Sequence, residues 1–263
     1  MAPLLGGDPG AYAEWMSIGP SSWRLRATVA RPTSRPQLVT GRLRRYLATA
    51  DATAVRFSAK PGAVLAWLVP ANALLAAVGV ALGLALLDDP ALYFRELMPG
   101  TLLSAAHLLA AALVARAIHR RDPRGRRWYE SFWGLSAVLL VVLVVVELTQ
   151  PTIFLGKWLQ RDVGVRAPSG IVDLDGLLMA VLLVTVAGTL AVRSLDLLRH
   201  PRALALFTCA ALLGATSQYM DATFRVSAWQ FVAEDGAKAL AGPFLLAGYL
   251  VALGSVVRKQ SSG

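Results

Sequence analysis

The feature that most constrains this chain is a series of six apolar runs, each long enough to cross a bilayer. A helix needs about 20 residues to span a hydrocarbon core of about 30 Å. The predicted spans are residues 63–87, 101–118, 132–151, 174–197, 203–220 and 237–257. Only 16% of the 263 residues are charged, against about 25% in a soluble domain. The sequence therefore predicts an all-α fold, a polytopic membrane helix bundle with six transmembrane helices.

Basic residues are grouped in alternate connections between these runs. Of the 26 Lys and Arg residues, 20 fall in the N-terminal arm, the second loop, the fourth loop and the C-terminal tail. Cytoplasmic connections of membrane proteins carry an excess of Lys and Arg. We therefore expect both termini in the cytoplasm and a multi-pass protein of the cytoplasmic membrane. The same grouping accounts for the net charge of +10, so no nucleic-acid partner is expected.

The predicted domain organisation has three parts. Residues 1–60 are expected to form a basic cytoplasmic arm, partly on the membrane surface, residues 61–258 the transmembrane domain, and residues 259–263 a short tail. An Arg-rich, acid-poor start is also typical of a transit peptide. The stretch GRLRRYLATA at 41–50 predicts a short amphipathic helix near residues 42–48. Its arginines would attract anionic lipid by about 1 kcal/mol each. Expected partners are therefore the lipid bilayer, anionic lipid at this arm, and a second copy or another membrane protein.

Cysteine and histidine usage bounds the possible metal sites. The single cysteine, Cys209, excludes internal disulfides and cysteine-cluster metal sites. Its position in an apolar run predicts a small, buried packing residue. Of the three histidines, only His107 maps to the outer side of the membrane. The sequence thus predicts neither a tetrahedral zinc site nor a haem held by two histidines, and it identifies no cofactor.

The stretch VVVELTQPTIF at 144–154 places a carboxylate, Glu147, inside an apolar run and a proline four residues later. A charged side chain in hydrocarbon costs about 3 kcal/mol or more, and a proline cannot donate to the carbonyl four residues before it. We therefore expect Glu147 to face the bundle interior, within reach of Lys238 or His107. Pro151 is expected to bend or end the third transmembrane helix.

Five ionisable residues are predicted at similar depths near the outer ends of different helices. These candidate ligand- or ion-binding residues are Glu147, His107, Lys238, Glu234 and Asp221. If their helices surround a common centre, the side chains form a polar, acid-rich site at the extracytoplasmic end of the bundle. Carboxylate and carbonyl oxygens at such a site suit an ion or a small ligand.

A structural interpretation of the same residues is also open. Glu234 and Asp235 are predicted at the N-terminus of the sixth helix, where the helix dipole favours negative charge. Glu234 and Lys238 are spaced i,i+4 and can pair with each other. A lone histidine in an apolar helix, such as His107, is commonly a hydrogen-bonded packing residue.

The residues leave three functions open. The first is a transporter or permease with the acid-rich site as its ligand-binding site. The second is a membrane enzyme acting on a lipid or isoprenoid, with Glu147 as general base and Lys238 or Arg225 holding a phosphate. The third is a non-catalytic subunit of a membrane complex, favoured by Gly79 and Gly83, which are spaced for close helix contact. The chain has no HExxH, GxSxG or P-loop motif, so whether it is an enzyme stays open.

The stretch VAEDGAKALAG at 232–242 resembles the acid–acid–x–x–Lys start of the last helix in uncharacterised bacterial multipass membrane proteins. These proteins also carry an acid near the outer end of an earlier helix, followed at short distance by His-Glu. The resemblance implies that Glu147 matches that acid and forms a unit with Glu234 and Lys238. Thr152 and Ile153 stand where the family has His-Glu, so no metal site is implied. The family implies no known activity.

Overall fold

The structure is a computed structural model, and it describes residues 35–91, 99–122, 124–166, 174–223 and 227–262. Its helices are α1 (Arg35–Ser58), α2 (Pro61–Leu87), α3 (Pro99–Arg120), α4 (Phe132–Thr149), α5 (Pro151–Trp158), α6 (Leu174–Ala191), α7 (Leu195–Leu198), α8 (Pro201–Thr223) and α9 (Ala228–Ser261). A 3-10 turn, Trp128–Glu130, precedes α4, and a π turn, Leu159–Val163, follows α5. No strand occurs among the described residues, so the predicted all-α class is confirmed.

Six of these helices are long and apolar enough to cross a membrane: α2, α3, α4, α6, α8 and α9. The predicted six-helix bundle is therefore confirmed, and the protein is an integral membrane protein. Many large apolar side chains on these helices point away from the bundle, among them Trp67, Leu82 and Val184. In a bilayer such side chains face lipid tails, which are as apolar as they are.

Two predicted boundaries are wrong. The fourth span ends at Ala191 instead of residue 197, because the chain turns there and forms the separate helix α7. The sixth helix is predicted to begin near Glu234, but α9 begins at Ala228, which gives it 34 residues and a length of about 51 Å. Glu234 and Asp235 consequently lie inside α9 and do not cap its N-terminus. Hydropathy marks the part of a helix that lies in lipid, and α9 continues beyond it.

The chain divides after Arg44 into two units, and all six membrane helices belong to the second, Arg45–Gly263. The helix predicted near residues 42–48 is longer than expected, because α1 runs from Arg35 to Ser58. Residues 1–34 of the predicted arm lie outside the described residues. Contact of this arm with anionic lipid stays a prediction.

One face of α1 packs on the bundle within the second unit. Asp51, Ala54 and Ser58 recur along that face and are buried. Asp51 accepts from Arg116 and Arg120 of α3 in ion pairs of 3.2 and 3.0 Å. One carboxylate holding two arginines fixes the C-terminal half of α1 beside the end of α3.

Two further packing expectations are wrong. Cys209 is exposed on α8, because α8 packs mainly against α9 and turns its remaining faces outward. Gly79 and Gly83 of α2 are buried within this chain. This glycine pair is therefore not available to a second protein and does not favour the subunit hypothesis.

The bundle has two ends of different charge. The α3–α4 connection, the α6–α8 connection and the C-terminal end of α9 meet at one end, here called the basic end. The α4–α6 and α8–α9 connections meet at the opposite end, here called the acidic end. Each spanning helix runs between the two ends.

The apolar core is concentrated in the half of the bundle nearer the basic end. Ala111, Ala115 and Ala117 of α3 are fully buried, as are Ala252 and Leu253 of α9. These residues belong to a single buried cluster. Small side chains allow two helices to approach closely, so α9 lies tightly against α3 there.

Aromatic rings fill the space around this core. Tyr249 of α9 meets Phe207 of α8 edge-on at 4.7 Å, and Trp133 meets Phe132 edge-on at 4.9 Å. A Cβ atom on Gly248 would lie 2.9 Å from Cε1 of Phe207. A larger residue at this position would therefore force the Phe207 ring to shift from its place between α8 and α9.

A buried carboxylate closes the basic end. Asp196 of α7 accepts from Arg124 and Arg126 at 3.0 and 2.8 Å, and the N–H of Phe132 lies 3.4 Å from the same carboxylate. Burial opposes the charge on neighbouring Asp122, but hydrogen bonds from the Arg126 side chain and the Arg124 N–H, together with the charges of both arginines, outweigh burial and lower the pKa of that carboxyl. The α3–α4 connection is thereby tied to the α6–α8 connection.

His200, beside this network, makes thermal stability depend on pH. Its Nδ1 donates to Oγ of Ser255 at 2.6 Å. Burial and the charge of Lys259 lower the pKa of His200 below its usual 6.5. The folded protein binds a proton at His200 less readily than the unfolded chain does. The contribution of His200 to the free energy of unfolding should therefore be fully present above about pH 6.5 and decrease as the pH falls further.

Melting temperatures of the purified protein in detergent, measured between about pH 8 and about pH 5, test this expectation. The matched control is His200→Asn, which keeps a donor near Ser255 but does not titrate. The control should lose less stability on acidification than the native protein. Equal losses would contradict the assignment to His200.

Candidate functional site

The Glu147 carboxylate forms an ion pair with Lys238 of α9. Oε1 of Glu147 lies 2.8 Å from Nζ of Lys238. Among the described residues, Oε1 has no hydrogen-bond partner apart from this ion pair. The glutamate side chain is 8% exposed and the lysine side chain 40%. The prediction that Glu147 faces the bundle interior and pairs with Lys238 or His107 is confirmed, with Lys238 as the partner.

The end of α4 places Glu147 at the mouth of the bundle. Gln150 adopts a left-handed φ of 48°, and its N–H donates to the Val146 carbonyl at 2.8 Å. Pro151 then begins α5. Since proline has no N–H to continue the ladder of α4, the predicted end of the third transmembrane helix is confirmed. Glu147 thus lies in the last turn of α4, facing α9.

A small open cleft surrounds the ion pair. It is lined by Gly100, Thr101 and Ser104 of α3, Glu147 of α4, and Asp235 and Lys238 of α9. The lining combines hydroxyl and carboxylate oxygens with one ammonium group. Its enclosed part has room for about one water molecule. That size suits a water molecule or a single ion.

Acids predominate around Lys238. Asp235, three residues before it on α9, interacts electrostatically with both Lys238 and Glu147. Glu234 and Asp221 also lie within electrostatic range of Lys238. Asp221 in turn accepts from the amide of Gln218 at 3.2 Å. Four carboxylates of the described residues, those of Glu147, Asp235, Glu234 and Asp221, therefore lie within electrostatic range of the Lys238 ammonium group.

His107 is buried, but the structure does not place it at the cleft. Its Nδ1 lies 2.8 Å from the Leu103 carbonyl, and its Nε2 lies 3.5 Å from Nδ2 of Asn72. A carbonyl only accepts, so Nδ1 carries the proton and Nε2 accepts from the Asn72 amide. His107 is therefore a hydrogen-bonded packing residue, as the structural interpretation of the sequence predicts.

Sequence reasoning missed three polar residues at or near the cleft: Asp235, Ser104 and Asn72. Asp235 and Lys238 are spaced i,i+3 and therefore share a helix face. The predicted sixth span begins at residue 237, so it leaves Asp235 outside the span and the shared face unnoticed. Asn72 interrupts the apolar helix α2 and is 3% exposed. An amide in hydrocarbon requires a hydrogen-bond partner, as a carboxylate does. A lone asparagine in an apolar run therefore indicates that its side chain faces a neighbouring helix.

The described residues contain no group of three or more His, Cys, Asp or Glu side chains able to hold a metal ion. Comparison with models of protein families, with curated proteins and with solved structures finds no match for this chain. The functional conclusion therefore rests on the geometry of the cleft.

The ion pair predicts a specific pattern of stability losses. Glu147→Met leaves the Lys238 ammonium without this carboxylate and should lower the free energy of unfolding by about 1–3 kcal/mol. Lys238→Met leaves the more deeply buried carboxylate unpaired and should cost more. The double variant Glu147→Met with Lys238→Met should recover most of the loss, because an apolar pair often replaces a buried ion pair without penalty.

Thermal unfolding of the native protein, the two single variants and the double variant in lipid nanodiscs completes this double-mutant cycle. Lys157→Met, which removes an exposed lysine from α5 at the same end, is the control and should change little. Additive losses from the two single substitutions would show that the residues do not interact.

Proposed function

We propose that this membrane protein binds a small cation at the acidic end of its bundle, as a transporter or permease does. The observation that supports the proposal is a buried carboxylate, Glu147, that lines an oxygen-rich cleft and is paired with a lysine side chain. Carboxylate, hydroxyl and backbone oxygens are the ligands preferred by hard cations such as Na⁺. Asp235 and Glu234, which interact electrostatically with Lys238, favour positive charge at the same place.

Binding proceeds by exchange of one positive charge for another. The ammonium group of Lys238 stands where a cation would contact Glu147. A cation that enters the cleft displaces this group, which then has Asp235 and Glu234 of its own helix as partners. Lys238 is 40% exposed, so its side chain has space to move. The charge of the buried carboxylate stays compensated throughout the exchange.

Thermal stability in different salts tests the proposal. At constant ionic strength, Na⁺, K⁺ or Ca²⁺ should raise the melting temperature saturably relative to choline, which is too large for the cleft. Stabilisation by a bound ligand follows RT ln(1 + [L]/Kd), so about 100-fold excess over Kd adds about 2.7 kcal/mol. Glu147→Gln should abolish the effect.

The matched control is Asp162→Asn, which removes an exposed carboxylate after α5 that does not line the cleft. It should retain the stabilisation of the native protein. No saturable effect of any of these cations on the native protein would refute the proposal. A chemically altered lipid retained after purification would favour the enzyme alternative, and a stoichiometric protein the subunit alternative.

We further propose that the acidic end faces outward and that the basic end, with the start of α2 and the end of α9, lies in the cytoplasm. The support is the concentration of Lys and Arg in the connections of the basic end. A cation from outside would then reach Glu147 without crossing the apolar core.

Cysteine labelling tests this orientation. In a Cys209→Ala background, Asp162→Cys and Ser262→Cys place single thiols at the acidic and basic ends. A membrane-impermeant maleimide added to intact cells should label position 162 and leave position 262 unlabelled until the membrane is opened. The reverse pattern would place the cleft on the cytoplasmic side.

A further inference from the structure

We propose that Asn72 is a positioning residue for the ion pair, acting on Lys238 through the backbone carbonyl of Ala239. The inference rests on the proposed cation site, whose geometry Asn72 would set from a neighbouring helix. Asn72 does not line the cleft, so it reaches the cleft only through α9.

Pro243 creates the need for an external donor. It lies inside α9, and its missing N–H would otherwise bond the carbonyl four residues earlier, that of Ala239. Nδ2 of Asn72 lies 3.3 Å from this carbonyl oxygen and donates to it. Both residues are buried, at 3% and 7% exposure. In hydrocarbon a carbonyl without a donor is costly, so α2 supplies the bond that α9 cannot make itself.

The position of this bond links it to Lys238. Ala239 directly follows Lys238, and Asp235 lies one turn before it. A proline inside a helix removes a ladder bond and permits a kink. The outer part of α9 is thus joined to its inner part by a weakened turn, and the Asn72 bond fixes the angle at that turn. The same angle decides whether Nζ of Lys238 reaches Glu147.

His107 holds the Asn72 amide in place. Its Nε2 accepts from Nδ2 of Asn72 at 3.5 Å, while Nδ1 is anchored on the Leu103 carbonyl of its own helix α3. A Cβ atom on Gly242 would lie 2.9 Å from Cβ and Cγ of His107, so glycine is required for the ring to pack against α9. The contact brings α2, α3 and α9 together one turn below the cleft, and α3 also contributes Thr101 and Ser104 to the cleft wall.

A double-mutant cycle between Asn72 and Pro243 separates positioning from general stability. Asn72→Leu removes the donor, while Pro243→Ala restores an N–H within α9 that can bond the Ala239 carbonyl. Asn72→Leu should therefore disturb the site in the native background and have little effect in the Pro243→Ala background. If Asn72→Leu does not fold, Asn72→Gln replaces it, because the longer side chain keeps an amide but displaces it.

Two readouts are measured on each variant. The first is the distance between spin labels at exposed positions Trp229 on α9 and Val145 on α4, in a Cys209→Ala background. The second is the Na⁺ concentration that gives half-maximal thermal stabilisation. Asn72→Leu should shift or broaden the distance distribution and change the half-maximal Na⁺ concentration about tenfold or more, as loss of supporting partners does at metal sites. Pro243→Ala should restore both.

Two outcomes would overturn the proposal: a lower melting temperature for Asn72→Leu with unchanged distances and Na⁺ response, or a double variant in which the distances remain disturbed. The label distances require no ligand. If the native protein shows no cation response while the distances follow the cycle, the cation site fails and the positioning role stands.

Discussion

A charge that lies in hydrocarbon requires a partner, and the Glu147–Lys238 ion pair meets this requirement at a single place in the bundle. The pair links α4 to α9 at the acidic end, far from the apolar core. The helix α4 ends at Thr149 and Pro151 begins α5, so the Glu147 carboxylate lies in the last turn of α4.

The two ends of the bundle compensate charge in opposite ways. At the basic end, buried acids each hold two arginines: Asp51 binds Arg116 and Arg120, and Asp196 binds Arg124 and Arg126. These two networks hold the helix connections of the basic end in place, and each contains more arginines than carboxylates. At the acidic end, one lysine serves several carboxylates. Several acids beside an open cleft are consistent with the proposed cation site, whereas a closed arginine network favours rigidity.

The sequence predicts those features that depend on the free-energy cost of placing a single segment or side chain in lipid. Apolar run length gave the six spans, and the expense of a charge in lipid placed Glu147 inside the bundle. The prediction did not extend to features that depend on which helix faces which. Cys209 lies in an apolar run, but only the packing of α8 on α9 decides that it is exposed. Asp235 was misplaced because hydropathy reports depth in lipid and not the end of a helix. The bond from Asn72 to Ala239 joins residues distant in the chain, so no local pattern reveals it.

At the proposed cation site, Lys238 would also determine how tightly an external ion is held. An ammonium group tethered 2.8 Å from a carboxylate acts as a competitor at high effective concentration, which for short flexible tethers is in the millimolar range and rises with preorganisation. A free cation must overcome this internal competitor before it gains any interaction with Glu147. The tether therefore weakens apparent affinity and speeds release, so the site suits ions that are abundant and must leave quickly. A site without the lysine would bind more tightly and exchange more slowly.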